Sequence, residues 1–209
     1  MRTRIKFCGV TTQAEAELAV ACGADAVGLI LAPSPRRISL HDAVAIAGTL
    51  PPFVTPTFVL VDPDEKTLAA AHAAWPAATL QCAGEELPDL LDPYAPRILK
   101  VLHVAAESTP DELDAACNRY RRFNVLLDTK AGVARGGTGA RFAWDRAIDI
   151  VRKRPTIVAG GLTPENVGEA IRTLRPYGVD VRSGIERDGR KDEALMRAFQ
   201  AAVNDADRT

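Results

Sequence analysis

The segment Ile157-Val158-Ala159-Gly160-Gly161-Leu162-Thr163-Pro164-Glu165-Asn166-Val167 runs from an apolar stretch into two glycines and then into a helix start. Thr163 is placed to cap that helix, Pro164 to occupy its first turn and Glu165 to meet its positive end. The reading is a buried strand, a tight turn and a helix. Glycine carries no Cβ, so the backbone N–H groups of the turn can approach an anion closely. Val179-Asp180-Val181-Arg182-Ser183-Gly184-Ile185 repeats the layout further on, a short apolar strand followed by Ser-Gly. Taken singly, each is an ordinary strand-to-helix turn, since glycine turns are common. Paired at the end of a chain of alternating strands and helices, they predict one phosphate cup built from Gly160, Gly161, Ser183 and Gly184. Such a cup belongs after the last two strands of a (β/α)8 barrel.

The rest of the chain supplies the alternation. Strands are predicted over 3–8, 25–31, 57–61, 78–82, 98–103 and 124–127, ahead of the two just described. The second is a near-continuous apolar run, as expected of a strand covered on both faces. Helix starts are marked by Thr11-Thr12-Gln13-Ala14-Glu15, by Ser39 as a cap, by Asp62-Pro63-Asp64-Glu65 and by Thr109-Pro110-Asp111-Glu112, and a last helix over about 192–203 carries Leu195, Met196, Phe199 and Val203 on one stripe. The tail 204–209 is expected to fray. Dividing 209 residues by eight units gives roughly 26 per unit, near the lower size limit of the barrel. Strict alternation means an α/β domain with a parallel sheet, and eight units mean a single (β/α)8 TIM-barrel domain over 1–209. An open doubly wound sheet is the alternative, but no Gly-x-Gly-x-x-Gly follows the first strand.

Composition narrows the partners. Basic and acidic residues balance, 26 against 27, and no Lys/Arg block speaks for nucleic acid. No apolar run reaches membrane-spanning length, and Met1-Arg2-Thr3-Arg4 leads straight into a strand. The four cysteines, Cys8, Cys22, Cys82 and Cys117, are far apart and lack metal-type spacing, which predicts a reduced cytoplasmic protein.

Barrel chemistry sits where strands end. That filter selects Cys8, Arg36, Gln81, Cys82, His103, Asp128 and Asp180. Cys8 is either a thiolate base or nucleophile, if a cation or helix start lowers its pKa, or a small buried hydrophobe. Asp128 directly follows Val125-Leu126-Leu127; desolvation there suits a general acid, while the plainer alternative is a loop cap. Asp180 lies inside an apolar strand and must accept hydrogen bonds from a sugar hydroxyl or a neighbour. Arg36 and Arg37 sit in a proline-stiffened loop; either a carboxylate fork or a solvated charge fits them. His103 reads as a core or rim histidine, and Cys22 and Cys117 as helix-buried thiols. Within the glycine-rich segment 132–139, Gly136-Gly137-Thr138-Gly139 resembles a loop that can close over a ligand, although glycine loops have many other uses. A thiol and a carboxyl across a phosphate-anchored sugar make a base–acid pair for isomerisation, with no metal or cofactor.

Lys6-Phe7-Cys8-Gly9-Val10-Thr11, Gly23-Ala24-Asp25-Ala26-Val27-Gly28, Ser34-Pro35-Arg36, Leu126-Leu127-Asp128-Thr129, Gly136-Gly137-Thr138-Gly139, Phe142-Ala143-Trp144, the 159–167 segment and Gly178-Val179-Asp180-Val181 with Ser183-Gly184-Ile185-Glu186 fall in one order. In that order, nearly to the end of the chain at Gly189-Arg190-Lys191-Asp192, the sequence closely resembles the phosphoribosylanthranilate isomerase family. The resemblance implies an Amadori rearrangement of N-(5-phosphoribosyl)anthranilate to 1-(2-carboxyphenylamino)-1-deoxyribulose 5-phosphate in tryptophan biosynthesis. It implies Cys8 as general base, Asp128 as general acid, Arg36 facing the anthranilate, and Gln81 and Asp180 near substrate. It further implies backbone amides at Gly160, Gly161, Ser183 and Gly184 on the phosphate, no cofactor or metal, a small phosphosugar as the partner, and a monomer or homodimer.

The chain departs from the family at two places. Strand four ends Gln81-Cys82-Ala83-Gly84 where the family has Gln-Leu-His-Gly, so Cys82 is expected to replace a histidine, or water to fill the gap. Arg182 stands where a small residue is usual; if Asp180 points inward, Arg182 either follows it toward the phosphate or bends outward at the strand end. The competing functions are a related sugar-phosphate isomerase of the histidine pathway, which commonly uses two aspartates, and a phosphate-ligand sensor without turnover.

Overall fold

The structure is a computed structural model that describes residues 2–105, 107–129 and 139–208. Most of the glycine-rich segment read as able to close over a ligand lies outside the described residues. Eight parallel strands close into a barrel in sequence order: β1 Arg4–Cys8, β2 Ala26–Ile30, β3 Thr55–Leu60, β4 Thr79–Cys82, β5 Ile98–Val104, β6 Asn124–Thr129, β7 Thr156–Ala159 and β8 Gly178–Val181. Closure is made by β1 against β8, with Lys6 opposite Asp180 and Phe7 opposite Val181. The helices are α1 Gln13–Ala21, α2 Leu40–Ala47, α3 Glu65–Ala74, α4 Pro88–Leu91, α5 Pro110–Arg119, α6 Gly139–Lys153, α7 Val167–Leu174 and α8 Glu193–Asp207.

Strand alternation sorts the side chains into two cores. Outward residues such as Phe7, Phe58, Leu80, Ile98 and Val179 pack under the helices, and Phe7 meets Phe199 of α8 edge-on with ring centroids 6.2 Å apart. Inward residues fill the barrel: Leu99, Val101, Leu126 and Ala159 form one cluster, and Cys8, Ile30, Ala32 and Val59 another near the C-terminal rim.

Ser39 caps α2 as the sequence predicts, and the other marked helix starts are capped as well. Thr12, Ser39 and Asp64 accept a hydrogen bond from the N–H three residues on, and Thr109 with Glu112 completes a capping box. Thr163 does not cap α7. Its carbonyl accepts from the N–H groups of Asn166 and Val167, while the Asn166 side chain bonds Thr163 N and Gly161 O, at 2.8 and 2.9 Å. Asn166 therefore folds the turn back on the glycines, and the helix begins at Val167. The C-terminal tail also differs from expectation. Helix α8 continues to Asp207, whose carboxylate accepts from Thr3 N at 2.7 Å and Thr3 Oγ1 at 2.6 Å. Those two bonds tie the tail to the start of β1. Strand β3 begins at Thr55, and Pro56 is tolerated because it lies at the strand's start. The fourth helix is a single turn followed by a 3₁₀ segment, Asp92–Arg97. Among the described residues, no helix is long and apolar enough to cross a membrane.

Candidate active site

The C-terminal rim opens into a cavity of about 500 Å³. Cys8, Gln81, His103, Asp128 and Asp180 come to its wall from five strands, and Arg36, Gly160, Gly161, Arg182 and Ser183 from the loops above. A comparable cavity of about 450 Å³ lies at the N-terminal rim, lined by Thr55, Thr79, Asn124 and their neighbours. The chemistry-bearing strand ends point to the other end, which is where barrel active sites lie.

At the base of the C-terminal cavity, β1 places Lys6 and Cys8 on one inward face. Lys6 Nζ donates to Asp180 Oδ1 at 2.8 Å and reaches Cys8, with both charged side chains almost fully buried. Gly28 makes this possible. A Cβ there would lie 2.7 Å from Cys8 Sγ and 3.0 Å from Lys6 Nζ, so any larger residue would push the pair apart. Burial pushes the Cys8 thiol above its ordinary pKa; Lys6, and more weakly Lys191, oppose that shift by favouring the thiolate. Burial also works against the Lys6 cation, but Asp180 and Cys8 overcome it and hold its pKa above the ordinary value. Asp180 thus finds its partner in a neighbouring side chain rather than standing unpaired.

Asp128 faces the cavity half-exposed, opposite His103 in the β5–β6 register. His103 Nδ1 lies 3.7 Å from Asp128 Oδ2, and its Nε2 is 3.2 Å from the carbonyl of Ala83. The expected rim histidine is therefore on the rim and beside the acid. Gln81 is buried with its Oε1 without a hydrogen-bond partner among the described residues, so an acceptor is presented to whatever fills the cavity.

Cys82 is not at the site. It points outward from β4, fully buried behind the sheet, with its pKa pushed up to about 12 by that burial. Alternation from inward Gln81 makes Ala83 the next cavity residue. The replacement for the histidine is thus an alanine, over which His103 reaches from β5. Cys22 and Cys117 are buried, as expected of helix thiols.

Arg36 reaches the cavity already paired. Its Nε donates to Glu186 Oε1 at 2.7 Å and its Nη2 to Glu186 Oε2, a side-on fork. Lys191 Nζ donates to the same Glu186 oxygen at 2.7 Å and to the carbonyl of Cys8 at 2.6 Å. Both partners come from a short hairpin, β9 Glu186–Arg187 and β10 Arg190–Lys191. Glu186 is held ionised below the usual carboxylate range, because the two cations outweigh its burial. Lys6, Glu186 and Lys191 were not singled out from the sequence as site residues. For Lys6 a signal existed, two positions before Cys8 on the same strand face; Glu186 and Lys191 stood only within the family-like motifs, with nothing local to give them a role.

The two glycine turns meet as expected. Gly160 and Gly161 take φ of +97° and +62°, a conformation that favours glycine, and both line the cavity with Ser183. Gly184 stands behind that wall, where a Cβ would clash with the Leu162 carbonyl oxygen. Arg182 leaves the strand at φ −123° and ψ −81° and lies exposed at the cavity mouth, so it does not follow Asp180 into the barrel. Among the described residues, no group of His, Cys, Asp and Glu is arranged to hold a metal ion.

The family model described as N-(5'phosphoribosyl)anthranilate (PRA) isomerase matches residues 5–202. A relative of that function from Pseudomonas fluorescens (strain SBW25) is 41% identical over 206 residues, covering 97% of this chain and 96% of the relative. The phosphoribosyl anthranilate isomerase structure from Thermotoga maritima superposes with a TM-score of 0.84 at 37% identity, covering 97% of this chain and 99% of that one. A structure of such an isomerase in complex with reduced 1-(o-carboxyphenylamino)-1-deoxyribulose 5-phosphate superposes with a TM-score of 0.82 at 34% identity, again covering 97% and 99%.

Proposed function

This chain belongs to the N-(5'-phosphoribosyl)anthranilate isomerase family, enzymes of tryptophan biosynthesis, and from that premise we propose how its residues divide the reaction. Asp128 gives a proton to the ribose ring oxygen of N-(5-phosphoribosyl)anthranilate. The C1–O bond breaks as the anthranilate nitrogen lone pair forms a Schiff base. The Cys8 thiolate takes the proton from C2, and the C–H electrons move through C1 to the nitrogen, giving an enolamine. Tautomerisation moves the O2 proton to C1 and yields the ketose. Nothing is oxidised by an outside agent, so the step runs on these residues without a cofactor.

The observation that carries this reading is that Cys8 and Asp128 enter one cavity from strands on different sides of the ring. A sugar held between them meets a base and an acid together. The turns at Gly160–Gly161 and Ser183–Gly184 hold its phosphate through backbone amides. Gln81 and the Lys6-bound Asp180 face its hydroxyls, and Arg36 faces the anthranilate. Four unpaired cysteines agree with a reducing cytoplasmic location.

The test is a fluorescence assay of anthranilate-adduct consumption with Cys8→Ala and Asp128→Ala, beside binding of the reduced product analogue. Turnover disappears in both variants while binding persists. Near-native turnover in either one overturns its assigned role.

A further inference from the structure

We infer that Arg182 is a further substrate-binding residue, a second arginine that takes the ring carboxylate of the arylamino sugar phosphate beside Arg36. The inference rests on the substrate class proposed above.

Three features of the rim lead to it. The first is position. A Cβ on Gly9, the residue after Cys8, would lie 2.9 Å from Arg36 Cδ and 3.3 and 3.6 Å from Arg182 Cγ and Cδ. The two arginine stems therefore meet over one glycine at the cavity mouth. Gly9 keeps its φ of +76° there, so nothing bulkier separates them. The second is anchoring. Lys191 Nζ donates to the carbonyl of Arg182 at 3.2 Å and to that of Cys8 at 2.6 Å. The backbone that carries Arg182 is thus fastened to the strand that carries Cys8. The third is charge. Arg36 and Lys191 share the single carboxylate of Glu186. Arg36 has already spent one edge of its fork on that contact. Among the described residues the Arg182 guanidinium has neither an ion-pair nor a hydrogen-bond partner. Three cations against one anion leave this part of the rim with an excess of positive charge, and Arg182 holds the share that no protein group answers.

An anion completes that arrangement. The substrate has two, a phosphate and a ring carboxylate. The phosphate belongs to the amides of the β7 and β8 turns. The Arg182 stem leans the other way, over Gly9 toward the β2 loop and Arg36, so the carboxylate is its ligand. A planar guanidinium matches a carboxylate in bidentate fashion, and the unoccupied edge of Arg36 supplies a second contact.

The test compares two ligands on the wild-type protein, Arg182→Ser and Arg182→Lys. One ligand is reduced 1-(o-carboxyphenylamino)-1-deoxyribulose 5-phosphate; the other is the same compound without the ring carboxylate. Loss of one charged hydrogen-bond partner at a wet rim weakens the carboxylated ligand about tenfold in Arg182→Ser, with KM for the substrate rising in step. The ligand without the carboxylate binds the wild-type protein and Arg182→Ser alike, and Arg182→Lys recovers part of the loss. Equal weakening of both ligands reassigns Arg182 to the phosphate and overturns the inference. So does an unchanged affinity for both, which makes Arg182 a solvated charge. A wild-type protein that binds neither ligand instead overturns the proposed substrate class.

Discussion

Among the described residues three lysines are buried against carboxylates; Lys191 on Glu186 belongs to the rim hairpin, and the other two, Lys6 and Lys100, sit on opposite faces of the barrel sheet. Lys6 meets Asp180 at 2.8 Å inside the ring. Lys100 meets Glu86 at 2.6 Å outside it, with both side chains sealed. Glu86 further accepts from Asp62 N at 3.1 Å and Gly84 N at 2.9 Å, so the outer pair fastens the loops that follow β3 and β4 to β5. The inner pair touches Cys8, and its Asp180 lines the C-terminal cavity. Chemical type, length and burial are nearly the same. What separates the pair behind the sheet from the one beside the candidate site is which face of the strand the lysine occupies.

That contrast can be broken most sharply at the thiol. Cys8→Ala leaves both pairs intact but removes the proposed base, and kcat should fall by about three orders of magnitude in the fluorescence assay while the denaturation midpoint barely moves. Lys100→Met leaves Glu86 buried without its cation. Unfolding in urea should then show a loss of about 3–5 kcal/mol, with kcat of the folded fraction near wild type. A marked fall in kcat would refute the division between the pairs. Lys6→Met should do both things at once. It leaves Asp180 uncompensated and withdraws the charge that favours the Cys8 thiolate, so kcat/KM falls by about ten- to a hundredfold at neutral pH.

The pH profile sharpens the contrast further. Burial has raised the Cys8 pKa, and the reaction needs the thiolate, so kcat/KM should climb as pH rises into the alkaline range. In Lys6→Met the climb moves to still higher pH, because the main opposing cation is gone; in Lys100→Met it stays where it was. A profile that is flat from neutral pH upward would remove Cys8 from the role of base. The smallest effect is expected far from either pair. Asp207→Asn, at the bond between α8 and Thr3, should cost about 1 kcal/mol of stability and leave kcat unchanged.

Much of the site was legible in the chain because strand ends are marked by their next residues. Cys8 is followed by Gly9, Asp128 closes an apolar run, and both glycine turns carry their own signature. Other features were misread for local reasons. Cys82 seemed to stand in for a histidine, yet counting alternately from Gln81 sends it behind the sheet and brings Ala83 forward. Thr163 had the chemistry of a cap, but Asn166 competes for the same turn and wins by bonding both Thr163 and Gly161. The tail carried little apolar signal past Val203; buried Ala206 and a carboxylate reaching Thr3 hold it.

The order of strands and helices, the closed eightfold ring and the rim that bears the chemistry were determined by the sequence alone, since hydrophobic period, caps and glycine turns are local properties. The partners were decided by tertiary structure. Lys6 and Asp180 are 174 residues apart, and Arg36 and Glu186 are 150 apart. Nothing in the chemistry of a lone lysine or arginine names the carboxylate it will find. Barrel closure and strand register bring those ends together, and they alone settle which cation is neutralised, which one faces Cys8, and which is left exposed at the mouth.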